Sequence, residues 1–224
     1  MNPVIMRIGC ICFGYIFGLF ETAYFVGKLK GIDIRTKGSG NAGTTNTLRT
    51  LGLKYGLIVL FGDIMKCFIP CMIVRYALGS RFPEIGYLLV FYTALGTMLG
   101  HNFPFYMHFK GGKGMAVTAG MIFSGHWSFI PVGFVVFFGC FFGTHYVSLG
   151  SLMVYVFFMI QLVVEGQLGI LVFQGVPTPQ PVLIEMYIVG FCMAALTFYM
   201  HRTNIDRLLH HKERKTYLTK HSDQ

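Results

Sequence analysis

Long apolar runs alternate with short polar segments from one end of the chain to the other. Seven runs predict helices within a membrane: roughly Val4–Val26, Leu53–Val74, Ile85–Leu99, Met115–Ser124, Trp127–Phe142, Leu149–Val172 and Val182–Met200. A spanning helix takes about 20 residues. The fourth run is shorter, which predicts a half-helix or a tilted partner of the fifth. The pattern therefore predicts an all-α, polytopic integral membrane bundle of about seven transmembrane helices. Residues 1–224 form a single membrane domain in this reading, with a basic tail over about 202–224. The loops Tyr76–Glu84 and Phe173–Pro181 are short, and the second reads as a proline-rich turn.

Composition agrees with a membrane chain. Of 224 residues, 54% are apolar and 12% charged, against about 25% charged in ordinary soluble domains. Mean hydropathy is +0.60. The net charge of +9 has no basic soluble domain to carry it, which excludes nucleic acid as the expected partner. Membrane orientation accounts for the charge instead. With the N-terminus outside and the C-terminus inside, fourteen Lys and Arg, Lys220 included, fall inside. Arg7, Arg75 and Arg81 fall outside, and Lys66 lies within a span. The six cysteines lie in apolar runs without metal-ligand spacing, so they are expected to pack as small apolar side chains and no metal is expected.

The same orientation gathers three polar islands on the inner side: Lys37–Arg49, Gly100–Gly114 and His201–Leu209, joined by the short loop Thr144–Ser148. Each island combines basic side chains with Ser, Thr, Asn or His, and two carry clustered glycines. Such segments suit phosphate, because free backbone N–H groups wrap an oxyanion while Lys and Arg neutralise it.

In the first island Ser39, Gly40, Asn41, Gly43, Thr44, Thr45 and Asn46 are candidate contacts, and Arg49 is placed to close over them as an anion clamp. The island lacks the Gly-Lys-Ser/Thr ending of a nucleotide-binding P-loop. The second ends in Gly111-Gly112-Lys113-Gly114 just before an apolar run, so Lys113 would stand at a helix N-terminus. His101 in that island is a candidate general base. The third places His201, Asn204 and Arg207 at helical spacing. Asp63 and Lys66, within a span, are expected to pair or to brace an island.

Together these residues resemble the bacterial acyl-phosphate:glycerol-3-phosphate acyltransferase family over nearly the whole chain. The similarity runs through Ser39-Gly40-Asn41-Ala42-Gly43-Thr44-Thr45-Asn46 with Arg49. It continues through Gly100-His101-Asn102-Phe103-Pro104 to Phe109-Lys110-Gly111-Gly112-Lys113-Gly114. It ends on His201, Asn204, Arg207 and Leu208 near Glu213, with lesser matches at Asp63, Lys66 and Tyr146-Val147-Ser148-Leu149. Three positions depart from the family pattern: His211 and Cys67 stand where Gly is usual, and His145 where Arg or Lys is usual. The His-x4-Asp arrangement of another acyltransferase superfamily is absent, since Phe105 and Tyr106 follow His101.

The resemblance implies a seven-helix enzyme of the bacterial inner membrane, with its active site facing the cytoplasm. It would move a fatty acyl group from acyl phosphate to the 1-hydroxyl of sn-glycerol 3-phosphate, without a cofactor, and a monomer would suffice. Ser39, Arg49, Lys113 and Ser148 are expected to grip phosphate, and Asn41, Asn204 and His201 to position groups. Backbone N–H groups of Gly43 or Gly112 are candidates for polarising the acyl carbonyl. A transporter of a phosphorylated or organic anion is the rival reading.

Overall fold

A computed structural model describes residues 2–217. Lys220, counted above among the inner charges, lies outside the described residues. The chain is built from helices α1 (Pro3–Gly18), α2 (Thr22–Leu29), α3 (Thr44–Leu51), α4 (Leu53–Val74), α5 (Gly86–Asn102) and α6 (Met115–Ser124). They are followed by α7 (Phe129–Thr144), α8 (Val147–Gln167), α9 (Gln180–Met200) and α10 (Arg202–Leu209). By length and composition, four segments are able to cross a membrane: Pro3–Leu29, Leu53–Gly79, Val147–Gln167 and Gln180–Met200. Helices α6 and α7 are shorter and apolar. Large apolar side chains such as Ile8, Ile16, Phe61, Phe134, Val135, Ile160 and Phe191 lie on the outer surface, which suits lipid and not water.

Helix α5 is the centre of the bundle, with Leu88, Leu89, Val90, Ala94 and Met98 fully buried. Its contact with α1 is set by glycine. Gly14 and Gly18 on α1 face Gly96 and Gly100 on α5, both pairs four residues apart. A Cβ on Gly14 would stand 2.0 Å from Thr93 O, and one on Gly96 2.1 Å from Ile11 O. Small residues at this spacing let two membrane helices touch backbone to backbone.

The first predicted span is not one helix. It breaks at Leu19–Glu21, between α1 and α2. A buried charge explains the break. The carbonyl of Phe20, freed by the unwinding, accepts the Lys66 ammonium at 2.9 Å. The Glu21 carboxylate turns inward to within 3.3 Å of the same nitrogen. Asp63 lies 3.1 Å from Lys66 and accepts from the Thr22 hydroxyl at 2.9 Å. Asp63 and Lys66 thus pair as expected, and they also anchor the break. Exposed backbone within a bundle persists only where such partners exist.

The sixth span also differs from its predicted extent. Helix α8 stops at Gln167, and Val172–Phe173 pairs with Val176–Pro177 in a small antiparallel hairpin. Gly169 turns the chain with φ +70°, a conformation glycine adopts without strain. Phe173 then packs against Gly79 and Gly86, where a Cβ would stand 2.7 Å and 2.8 Å from its ring. The third span runs on to Asn102, so His101 is a helical residue. All six cysteines are free, with Cys10, Cys67 and Cys71 buried and Cys12 and Cys192 on the outer surface.

Candidate functional site

The ends of α5 and α9 and the starts of α3, α6 and α8 meet around one polar cavity of about 290 Å³. All three islands reach it. Its walls carry Ser39, Arg49, Lys113, Ser148, His201 and Asn204, together with Asn41, Gly43, Thr44, Thr45, Asn46, His101, Gly114 and Arg207. Gly40, Gly111 and Gly112 are not among its lining residues. Asp63, the expected brace, and Glu213, at the end of the resemblance, also line it, and two wall residues were not signalled by the sequence: Ser151 and Arg214.

The first island is half loop and half helix. Gly38 and Gly40 take left-handed backbone, φ +60° and +73°, which folds the loop back on α3. Asn46 staples it: its amide nitrogen donates to Ile34 O and Lys37 O, both at 3.0 Å. Its side-chain oxygen accepts from Ser39 N at 2.8 Å. The Asn46 side chain is thus committed to backbone and shapes the loop that presents Ser39. Arg35 steadies the approach through Asp33 at 2.7 Å, and that guanidinium holds the Asp33 carboxyl down at about 2.

The second island folds against the end of α5. Gly111 N donates to Asn102 O and Gly112 N to His101 O, both at 3.1 Å. A Cβ on Gly111 would stand 1.9 Å from His101 O. The expected oxyanion role of these amides is corrected here, because the Gly112 N–H is used by the fold and the Gly43 N–H turns to Asn41 O at 3.0 Å.

Free amides are supplied elsewhere. Thr44–Thr45 open α3, Met115–Ala116 open α6 and Val147–Ser148 open α8, and all six residues line the cavity. Among the described residues, no side chain caps any of these three N-termini. Each offers unpaired N–H groups and a partial positive charge to the same space, which is the arrangement that binds oxyanions.

The charged side chains form a second layer. Lys113 hydrogen-bonds Asn204, so the second and third islands are joined. Burial, and then the neighbouring Arg207, lower the Lys113 ammonium to about 8. Glu213 accepts from Ser148 Oγ at 3.0 Å, Asn204 Nδ2 at 2.7 Å and Arg207 Nε at 2.6 Å. Burial raises its carboxyl, and the three donors outweigh burial, so it ends below its ordinary value. Arg49 lies on α3, and the helix aims it at the tail and not over the Ser39 loop. It donates to Arg214 O at 3.0 Å and to the Thr216 hydroxyl at 2.5 Å. The tail continues as a strap, with Thr216 N donating to His145 O at 2.9 Å.

His201 and Asn204 both reach the cavity, as their spacing predicts. His201 is buried, and its Nδ1 bonds Thr197 O at 2.9 Å. A carbonyl only accepts, so Nδ1 carries the proton and Nε2 keeps its lone pair. Burial, and then the Lys113 charge, lower this imidazole to about 4.

A second, apolar cavity of about 320 Å³ adjoins the first. It runs between α4, α6 and α7, past Ile64, Ala119, Ile122, Gly133 and Phe137. Thr44, Thr45, Met115, Ala116 and Val147 line both cavities, so the polar and apolar spaces share one wall.

Comparison with known proteins agrees with this geometry. The family model described as glycerol-3-phosphate acyltransferase matches residues 8–211. A glycerol-3-phosphate acyltransferase of Aquifex aeolicus is 37% identical over 205 residues, covering 92% of this chain and 96% of the relative. One of Thermotoga petrophila is 41% identical over 211 residues, covering 92% and 95%. Among solved structures, PlsY (YgiH), described as an integral membrane glycerol 3-phosphate acyltransferase, matches with a TM-score of 0.79 in its glycerol 3-phosphate form. It is 34% identical, with 94% of this chain and 96% of that one covered. The lysophosphatidic acid form of the same protein matches with a TM-score of 0.76 and 33% identity, covering 95% and 96%.

Proposed function

We propose the reaction from one premise: the chain belongs to the glycerol-3-phosphate acyltransferase family. It is an acyltransferase of a membrane, and its acceptor is glycerol 3-phosphate. We infer that the donor is acyl phosphate and that the products are 1-acyl-sn-glycerol 3-phosphate and inorganic phosphate. The observation that carries this reading is the shared wall. A polar cavity and an apolar one adjoin along Thr44, Thr45, Met115, Ala116 and Val147. An acyl phosphate has the same two halves, with its carbonyl at their junction. The relative described in glycerol 3-phosphate and lysophosphatidic acid forms supports the acceptor and the product.

The chemistry follows from an activated donor. The 1-hydroxyl oxygen of glycerol 3-phosphate attacks the acyl carbonyl carbon, and a new ester C–O bond forms. The bond from that carbon to the phosphate oxygen breaks. Phosphate leaves with the electron pair and takes the hydroxyl proton. Lys113, Arg207 and the three helix N-termini hold the two phosphates close together and offset their repulsion. The Ser39 hydroxyl and the backbone N–H of Ser148, whose own hydroxyl is held by Glu213, donate to phosphate oxygens, and Asn41 and Asn204 orient the substrates. His201 Nε2 accepts a hydrogen bond from the 2-hydroxyl and so orients the glycerol, which leaves the 1-hydroxyl proton to the departing phosphate. An imidazole at about 4 is a weak proton acceptor at neutral pH, which favours the departing phosphate as the base.

The cavity lies at one end of the bundle, where the starts and ends of five helices meet. Positive-inside charge supports placing that end in the cytoplasm and the N-terminus outside; the proposal includes seven spans of the bacterial inner membrane and one copy of a single domain for turnover. The relatives are acyltransferases by name, and the transporter reading gives way to theirs. A single-turnover experiment with radiolabelled acyl phosphate tests the direct route. No label stays on the protein after denaturation if transfer is direct, and a trapped acyl-enzyme would refute it.

A further inference from the structure

The two histidines at the cavity present opposite faces. His201 donates through Nδ1 to Thr197 O at 2.9 Å. His101, in the last turn of α5, meets the Lys66 ammonium through Nδ1 at 2.7 Å. An ammonium has donors and no lone pair, so the His101 Nδ1 must accept. The proton of a neutral imidazole then sits on Nε2. That edge of the ring lies against Gly112, where a Cβ would stand 2.2 Å from Nε2 and 2.7 Å from Ala42 O. His101 therefore faces the place where the first two islands touch, and it lines the polar cavity.

We propose that His101 is not the general base. It is a neutral Nε2–H donor to a substrate phosphate oxygen, and Lys66 is the positioning residue that fixes this tautomer. The inference rests on the acyltransferase reading for the identity of the anion. Lys66 is itself held in place from several sides. Its ammonium is bound to Phe20 O at 2.9 Å and lies 3.1 Å from Asp63 and 3.3 Å from Glu21. Glu21 Oε1 also stands 2.8 Å from His101 Nδ1, as an ion contact. Were the proton on Nδ1 to serve Glu21, the N–H would point at an ammonium 2.7 Å away, which is repulsive. The buried lysine thus keeps the ring nitrogen beside it bare. A fixed neutral donor adds no net charge to be neutralised and needs no reorganisation when phosphate arrives. It also supplies a donor that the Gly112 amide, already used by the fold, does not.

The test is nitrogen-15 NMR of histidine-labelled full-length protein in detergent, with the His101 signals assigned by their loss in His101→Gln. The expected spectrum has a bare, pyridine-type Nδ1 and a protonated, pyrrole-type Nε2. Inorganic phosphate or glycerol 3-phosphate should shift Nε2 and leave Nδ1 bare. A protonated Nδ1, in a neutral or a doubly protonated ring, overturns the proposal. Kinetics give a second readout. His101→Ala should lower kcat/KM by about a hundredfold. His101→Gln, whose amide N–H reaches the Nε2 position, should recover part of that loss, and His101→Asn should not. Equal loss in all three overturns the donor role. The NMR result stands whatever the substrates are, whereas wild-type protein that turns over no acyl donor would sink the acyltransferase reading alone.

Discussion

Ser148, at the start of α8, donates its hydroxyl to the carboxylate of Glu213, in the tail beyond α10, at 3.0 Å. The same carboxylate collects Asn204 and Arg207, so one acid sets the positions of three polar groups at the cavity. Glu213→Ala should unfold at lower temperature and lose most activity. Each buried partner left unpaired costs about 1–3 kcal/mol. Ser148 and Asn204 carry that cost, while Arg207, 37% exposed, contributes little. Thermal unfolding in detergent measures the loss. The Glu213 carboxyl sits below its ordinary value, so its stabilisation is present above that value and is lost as pH falls through the folded one. Glu213→Gln should flatten that acid limb.

Lys113 gives a second pH signature, at the alkaline side. Its ammonium sits at about 8 in the free protein, so it is charged below that pH and neutral above it. KM for the phosphorylated substrates should rise as pH climbs past about 8. Lys113→Arg should move that rise to higher pH, because guanidinium stays charged. Lys113→Ala should lose most turnover at every pH. Initial rates between pH 6.5 and 9.5 decide it, and a flat KM in the wild type would remove this ammonium from substrate binding.

Much of this was legible in the sequence, and the failures have physical causes. The fourth apolar run, Met115–Ser124, has the bounds of α6 residue for residue. Each of the other runs holds a helix, because uninterrupted apolar side chains at a membrane leave the backbone little else to do. The break at Leu19–Glu21 was missed because Leu19 and Phe20 are apolar, and the cause lies 45 positions away in Lys66. Helix α3 was hidden within a polar island, since Thr and Asn are poor helix formers in isolation. The islands named the cavity wall well. Their motifs did not reveal that Asn46 serves the loop, that Arg49 serves the tail, or that the Gly112 amide is already used. Those are tertiary facts, fixed by carbonyls from other elements.

Gly112 tests how tightly the second island must dock. A methyl group there would meet the His101 ring and the Ala42 carbonyl inside contact distance. Gly112→Ala should therefore displace His101 and lower kcat by at least about tenfold, the size of effect expected when a donor is misplaced by an ångström. Helical content by circular dichroism should stay unchanged, because the spans are untouched. Normal kcat in this variant would mean the loop relaxes freely.

The apolar cavity predicts a dependence on acyl length. Ala119 lines it together with Ile64, Gly133 and Phe137. Ala119→Phe should narrow it, so long-chain donors slow by about tenfold more than short ones, the loss of about two methylene contacts at about 0.8 kcal/mol each. Competition between decanoyl and palmitoyl phosphate reads the ratio directly. An unchanged ratio would place the acyl chain elsewhere.

The most direct measurement is phosphate release by the purified protein in detergent, given palmitoyl phosphate with and without glycerol 3-phosphate. The account predicts release only when both are present, with one 1-acylglycerol 3-phosphate formed for each phosphate. Transfer from acyl-CoA in place of acyl phosphate, or phosphate release without the acceptor at an equal rate, would contradict it.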